Sequence, residues 1–302
     1  MEFEKLRKAL RGPAITTVTP FTSDLSEVDI QGMNRNLSYL IENDARLIVP
    51  CGNTGEFYSL DETEWLTVVS NSKEIVGDRM TIVAGVGNSL RSVEHQIDLC
   101  KELGIDGIMV MYPQHVFASE EGVLNYYNQI LEASKGLGVV LYKKGPLLTD
   151  EILGQLMQHT NLVAVKYAFG RIVDFSRTIH KLGKEIIWSC GTAERFAPFY
   201  WLAGAEGITT GLGNFAPRIA NRMFTSLSNG NFEEAMNLQQ LVTPFEDLRE
   251  GHGKADNVPI VKAAMDHLGL AGGNCRPPIH ALTNDERKAS VQAISDWDFS
   301  AL

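Results

Sequence analysis

Short apolar runs recur along the chain at residues 14–18, 47–49, 81–85, 107–111, 139–142, 163–166, 186–189 and 207–210. Within each run the apolar positions are consecutive, the pattern of a strand buried on both faces in a parallel sheet. Between the runs the period changes to that of a helix. Ile30, Met33, Leu37, Leu40 and Ile41 follow it, as do Val93, Ile97, Leu99 and Leu103, with Gly104 placed to cap the helix end. Repeated β-then-α units of this kind predict an α/β fold, a (β/α)8 TIM barrel. After Pro217 the pattern is purely helical: Ile219, Met223, Leu227, Ala235, Leu238 and Leu241 keep helical spacing. A further helical run at 258–268 follows the break Gly251-His252-Gly253, and Thr283-Asn284-Asp285-Glu286 reads as the capped start of a last helix. Residues 1–217 are read as the barrel strands and most helices. Residues 218–302 are read as the last barrel helix plus a helical C-terminal extension, all in one structural unit. A doubly wound open sheet is the alternative. It lacks support, because Gly85-Val86-Gly87-Asn88 has neither the third glycine nor the downstream acid of a dinucleotide site.

Lys166 breaks the pattern. It ends the run Leu162-Val163-Ala164-Val165 and is followed by Tyr167. An ammonium at the end of a buried strand must be paired or lose its proton, because desolvation disfavours the charged form. A lysine with a depressed pKa is what imine chemistry on a carbonyl substrate requires. The plainer alternative is a strand-end lysine whose stem is buried and whose head reaches water.

In such a barrel the chemistry sits at the C-terminal ends of the strands. The second strand feeds Cys51-Gly52-Asn53-Thr54-Gly55-Glu56. Gly52 and Gly55 bracket Asn53 and Thr54, so the backbone N–H groups can turn toward an anion and Thr54 can relay a proton or hold a carboxylate. A tight turn with an Asn/Thr cap is the competing reading, and Glu56 is read as a structural carboxylate. Tyr142 ends the fifth strand before Lys143 and Lys144, where a phenol beside a lysine suits general acid–base work. At most one of those two lysines points inward, and Lys143 is expected in a solvated turn. Ser189-Cys190-Gly191-Thr192 and Thr209-Thr210-Gly211 bring hydroxyls to two neighbouring strand ends, as ligand contacts or as helix caps. Cys190 has no base assignable to it as a nucleophile.

The bulk numbers narrow the function. A formal net charge of −10 opposes a nucleic-acid footprint, though a few local cations can still draw an anionic substrate into one cleft. Four widely separated cysteines predict a reduced compartment without a disulfide framework or zinc cluster. Met1-Glu2-Phe3-Glu4-Lys5-Leu6-Arg7-Lys8 is a charged segment without a signal-peptide core, and no apolar run approaches a membrane span. A cytoplasmic protein without membrane partners is expected. None of the seven histidines stands at HxH or HxxxH spacing, which disfavours a metal-dependent aldolase.

With Gly52-Asn53-Thr54-Gly55-Glu56, Tyr142 and Lys166 in this order, the chain resembles the dihydrodipicolinate synthase/N-acetylneuraminate lyase superfamily of class I, Schiff-base lyases. The match runs from Thr17-Val18-Thr19-Pro20-Phe21 to Arg276-Pro277-Pro278. The resemblance implies that Lys166 forms the imine, that Tyr142 moves protons, and that residues 52–55 grip the carboxylate of a 2-oxo acid. It also implies no external cofactor and no metal, a small-molecule substrate, and a homo-oligomer, dimer or tetramer. Asn53 replaces the first threonine of the synthases' G-T-T-G-E loop, Leu147 stands where they carry an arginine, and Pro113-Gln114-His115 replaces their aromatic pair. Gly55-Glu56-Phe57-Tyr58-Ser59-Leu60, Gly191-Thr192-Ala193-Glu194-Arg195-Phe196-Ala197 and Asn214-Phe215-Ala216-Pro217 look more like the 5-dehydro-4-deoxyglucarate dehydratases. Those enzymes usually have arginine where Lys144 stands. Among candidate substrate contacts, Gly52, Asn53, Gly55, Lys144, Gly191, Thr192 and Thr209 are retained. The expected activity is dehydration, with or without decarboxylation, of a keto-deoxy sugar acid. A pyruvate-dependent aldolase or synthase, and a barrel that binds a metabolite without chemistry, are the alternatives.

Overall fold

The computed structural model describes residues 3–299. Eight parallel strands close into a barrel in sequence order: β1 (Pro13–Ile15), β2 (Leu47–Ile48), β3 (Thr81–Val86), β4 (Gly107–Val110), β5 (Gly138–Lys143), β6 (Leu162–Tyr167), β7 (Ile187–Cys190) and β8 (Gly207–Thr210). The helix α1 (Glu4–Leu10) precedes them. The outer ring is α2 (Ile30–Glu42), α3 (Glu62–Val76), α4 (Leu90–Glu102), α5 (Glu120–Ala133), α6 (Asp150–Leu156), α7 (Ile172–Leu182), α8 (Ala197–Leu202) and α9 (Pro217–Ser228). The expected TIM barrel and its helical C-terminal region are therefore present. Residues 1–2 of the charged N-terminal segment and residues 300–302 of the expected extension lie outside the described residues.

The consecutive apolar runs became strands because both of their faces are covered. In β6, Leu162, Val163, Ala164 and Val165 are all buried between barrel interior and helices. The helix α1 packs across the N-terminal end, where a Cβ on Gly107 or Gly138 would strike the Leu6 side chain at 2.8 Å or 2.3 Å. The glycine of the third strand is explained by packing. A Cβ on Gly85 would sit 1.9 Å from the Cys51 carbonyl oxygen, so Gly85 lets the loop after β2 fold over the strand end.

β1 is shorter than the run at 14–18 predicts. The Thr16 and Thr17 amides still donate to the Thr210 and Val49 carbonyls (3.0 and 3.3 Å), and the Val18 amide donates to the Asn214 side chain at 3.0 Å.

The C-terminal extension is α10 (Phe232–Leu248), the single turn α11 (Gly251–Lys254), α12 (Asn257–His267) and α13 (Asn284–Gln292). A second core of Phe215, Met223, Leu238, Phe245, Val261 and Ile294 joins it to α9. Glu56, in the loop after β2, reaches into this extension and pairs with the fully buried Lys262 of α12 at 2.6 Å. Lys262 also donates to the carbonyls of Thr19 (2.8 Å) and Asn274 (3.1 Å). Arg276 clamps the same region through a bidentate pair with Glu64 and a stack on Phe21. Among the described residues, no helix is long and apolar enough to cross a membrane.

Candidate active site

Tyr142 and Lys166 are register partners on β5 and β6. Both side chains lie at the C-terminal ends of their strands, and the Lys166 Nζ stands 4.4 Å from the centre of the Tyr142 ring. Lys166 is only 6 % exposed, and among the described residues it has no carboxylate within ion-pair distance. Burial pushes its pKa down to about 7, and the positive charges of Lys144 and Arg249 push in the same direction. Gly191 makes room for it: a Cβ there would meet the Lys166 Cγ at 2.9 Å.

Lys262 shows what the same burial does when a carboxylate is supplied. It is fully enclosed yet paired with Glu56, so it serves as a structural cation. Glu56 is thus engaged away from the mouth, as a structural carboxylate.

The Asn53 amide donates to the Tyr142 hydroxyl at 3.0 Å. Burial raises the phenol's pKa, the neighbouring Tyr58 adds to that, and the Asn53 bond opposes both. Thr54, expected to relay protons with Tyr142, is engaged elsewhere. Its hydroxyl lies 2.9 Å from that of Thr16, which donates in turn to the Thr210 carbonyl. The contact between the loop and the phenol therefore runs through Asn53. Gly52 and Gly55 serve close packing: a Cβ on Gly55 would lie 2.7 Å from the Thr17 carbonyl oxygen. The positive φ values flanking this turn belong to Cys51 (56°) and Glu56 (55°).

The two lysines after Tyr142 reverse the expectation for one of them. β5 continues through Lys143, which pairs in register with Tyr167 and is buried, its Nζ donating to the Leu148 carbonyl and lying 5.5 Å from the Tyr167 ring centre. Lys143 is therefore no solvated turn residue; one more ladder residue turns it against the helix layer. Lys144 is the exposed one, near enough to Lys166, Lys254 and Glu250 for their charges to interact.

The remaining strand ends supply hydroxyls. Ser189 and Thr209 face each other at 3.2 Å, and Thr192 lies 3.5 Å from the Cys190 sulfur. Burial raises the Cys190 pKa to about 11, so it stays a thiol rather than a nucleophile.

Several neighbours of the site escaped the sequence reading. Arg249, at the end of α10, enters the barrel mouth beside β8, where a Cβ on Gly211 would collide with its guanidinium at 2.4 Å. It pairs with the buried Glu246 at 2.6 Å. Glu194 lies next to them, fully buried, with both carboxyl oxygens lacking a hydrogen-bond partner. Burial and the neighbouring Glu246 charge push its pKa well above the usual carboxylate range. Tyr112 immediately precedes Pro113-Gln114-His115, which stand where the synthases carry an aromatic pair. Its hydroxyl accepts from the Leu147 amide at 3.1 Å and its carbonyl accepts from Tyr58 at 3.0 Å, while His115 is exposed. A cleft of about 770 Å³ opens at the opposite end, beside Lys8, Arg11 and Arg46. The strands present their N-terminal ends there, away from Lys166 and Tyr142.

A model of the Dihydrodipicolinate synthetase family matches residues 9–297. The chain belongs to that family. It is 28% identical to a 4-hydroxy-tetrahydrodipicolinate synthase of Methanosphaerula palustris, over 95% of this chain and 98% of the relative. It is 31% identical to a probable 5-dehydro-4-deoxyglucarate dehydratase of Ralstonia nicotianae, covering 92% and 91% of the two chains. Among solved structures, a dihydrodipicolinate synthase from Oceanobacillus iheyensis superposes with a TM-score of 0.93 at 33% identity, covering 98% and 99%. As a member of the dihydrodipicolinate synthetase family, the chain is an enzyme, a lyase of the class I type.

Proposed function

We propose that this enzyme dehydrates a keto-deoxy sugar acid such as 5-dehydro-4-deoxyglucarate through an imine on Lys166. The observation that carries the reading is a buried lysine with a pKa of about 7, unpaired with any carboxylate and set against a buried tyrosine. Neutral Nζ attacks the 2-oxo carbon, and the carbinolamine loses water to give a protonated imine. A proton then leaves the adjacent carbon and its electron pair moves toward the iminium nitrogen. The enamine expels the hydroxyl one carbon further along as water, and Tyr142 carries protons in both steps. Hydrolysis of the imine frees the product and restores Lys166. No external cofactor is required, because the iminium is the electron sink.

Asn53 orients the Tyr142 phenol. The backbone N–H groups of residues 53–55 have no backbone acceptor among the described residues, which supports a role in holding the substrate carboxylate. Lys144 supplies a cation at the mouth for the second carboxylate of a diacid, and Thr192 and Thr209 supply hydroxyls for its hydroxylated carbons. Relatives named as probable dehydratases support this choice of reaction. Loss of carbon dioxide after dehydration fits the same electron sink.

A pyruvate-dependent synthase or aldolase is the second reading, favoured by the solved neighbours named dihydrodipicolinate synthases. Leu147 argues against the lysine-biosynthetic version, since no guanidinium stands there for a second carboxylate. The exposed Val116 and Phe117 in the loop after β4 support a subunit contact and hence a homo-oligomer. Steady-state turnover of 5-dehydro-4-deoxyglucarate, compared with pyruvate plus an aldehyde, tests the choice. Consumption of the sugar acid alone supports dehydration; consumption of pyruvate alone replaces it with the aldol reading.

A further inference from the structure

On the rim of the barrel mouth, His252, Asp256, His280 and Glu286 bring one donor atom each to within 4.8 Å of one another. They come from three places in the C-terminal extension: the α11 turn and the start of α12, the segment after Pro277-Pro278, and the first turn of α13. Asp256 is the centre of the group. Its Oδ2 lies 2.9 Å from His252 Nδ1 and its Oδ1 lies 3.0 Å from His280 Nε2. Glu286 spends Oε2 on the capping box of α13, where it accepts from the Thr283 amide and hydroxyl, and leaves Oε1 facing His252 Nδ1 at 3.8 Å.

Two observations go beyond a surface cluster of charges. Asp256 is only 4 % exposed, and its buried Oδ1 has no hydrogen-bond partner, although the His280 Nε2 lies beside it at 3.0 Å. A buried carboxylate oxygen left without a donor is costly, and a cation placed among the ligands removes that cost. The backbone is also shaped around the group. His252 adopts φ 48° and Lys254 φ 78°, left-handed values that ordinary side chains rarely take, with Gly253 at φ 67° between them. A Cβ on Gly251 would lie 2.1 Å from Asp256 Oδ2, so only glycine there leaves Asp256 its position.

We infer that His252, Asp256, His280 and Glu286 form a binding site for a divalent transition-metal ion, with zinc the best match. Two imidazoles and two carboxylates are a borderline-soft donor set, suited to zinc and poorly suited to magnesium or calcium, which take oxygen donors. Zinc holds such donors at about 2.0–2.2 Å in a tetrahedron, which places them about 3.3 Å apart. The four donor atoms lie within 4.8 Å of one another, so the side chains must draw together by up to about 1.5 Å to close a tetrahedral shell. The site is separate from the imine chemistry. It ties the α11 turn, the segment after the proline pair and α13 together. The residue after Asp256, Asn257, accepts from Arg249 through both its carbonyl and its side chain (3.3 and 3.0 Å), so the metal braces the arginine that enters the mouth.

The test uses the full-length protein stripped of metal, then dialysed against zinc ions, with magnesium ions as a parallel arm. Metal content is read by mass spectrometry and the ligand shell by X-ray absorption. The expected result is one zinc per chain, a shell of nitrogen and oxygen only, no retained magnesium, and a thermal midpoint that rises with zinc. His252→Ala and His280→Ala should each weaken zinc binding at least roughly tenfold, the lower bound for disturbing a metal site, while His159→Ala leaves it unchanged. Should His280→Ala fail to give the circular dichroism of the parent, Glu286→Gln provides the same reading from the other side of the site. Substoichiometric zinc, a sulfur-containing shell, or binding indifferent to these substitutions would overturn the assignment.

Discussion

The Lys166 nitrogen lies 4.4 Å from the centre of the Tyr142 ring, on adjacent strands in register, with no carboxylate paired to it among the described residues. This arrangement makes the amine available. The ring face tolerates a cation without holding it as a carboxylate would, and burial favours the neutral form.

The first prediction concerns pH. The folded-state pKa of Lys166 is depressed from 10.5 to about 7, so the nucleophilic amine is present above that value and lost below it. The pH profile of kcat/KM should therefore fall on its acid side with a midpoint near 7. Stability follows the same linkage. The unfolded chain binds this proton more tightly, so the group costs stability in full below about pH 7, and the cost fades as pH rises toward 10.5. Lys166→Met should accordingly abolish turnover yet unfold at higher denaturant near pH 6.5 than the parent. An acid limb near pH 4, or a variant less stable than the parent at that pH, would contradict this.

Tyr142→Phe removes the proposed proton carrier while leaving the lysine in place. It should lower kcat by about 10²–10⁴-fold, the usual contribution of a positioned acid–base group, and leave a reducible adduct still able to form. Asn53→Ala keeps the phenol but removes the hydrogen bond that stabilises its anion, so the smaller loss should come with a basic limb moved to higher pH. Equal kinetics for Tyr142→Phe and the parent would assign the proton transfers elsewhere.

Lys144 separates binding from chemistry. In the proposed reaction this exposed lysine meets a distal carboxylate, so Lys144→Ala should raise KM for a diacid by about tenfold, the worth of a 1.4 kcal/mol contact. kcat and the KM for a mono-acid analogue should change little. Restoration by Lys144→Arg would support charge recognition; an unchanged diacid KM would remove Lys144 from the site.

Lys262→Met tests the other buried lysine. Removing the cation strands Glu56 in the interior, and breaking such a pair costs about 3–5 kcal/mol. Urea unfolding should report a loss of that size. A double variant, Lys262→Met with Glu56→Gln, should recover part of it, because the orphaned charge is gone.

The elements that sequence reading found are those dictated by local physics. The run ending at Lys166 carries the pattern of a doubly buried strand, and Gly104, at φ 64°, closes α4 as its position after Leu103 predicts. The features it missed depend on partners far along the chain. Nothing in Asn53-Thr54 tells which side chain meets Tyr142, since that contact spans 89 residues. Lys143 was misplaced because one additional ladder residue moves a side chain from solvent to core. Arg249, Glu246 and Glu194 become neighbours only when α10 folds over the end of β8, and the one local hint is Gly211, the glycine that accommodates the guanidinium.

The most direct test of the central claim is borohydride reduction of the enzyme with 5-dehydro-4-deoxyglucarate and with pyruvate, followed by peptide mass spectrometry. A stable adduct is expected on the peptide carrying Lys166, formed with the sugar acid and absent in Lys166→Met. An adduct on a different lysine, or turnover of the sugar acid with no reducible adduct at all, would contradict it.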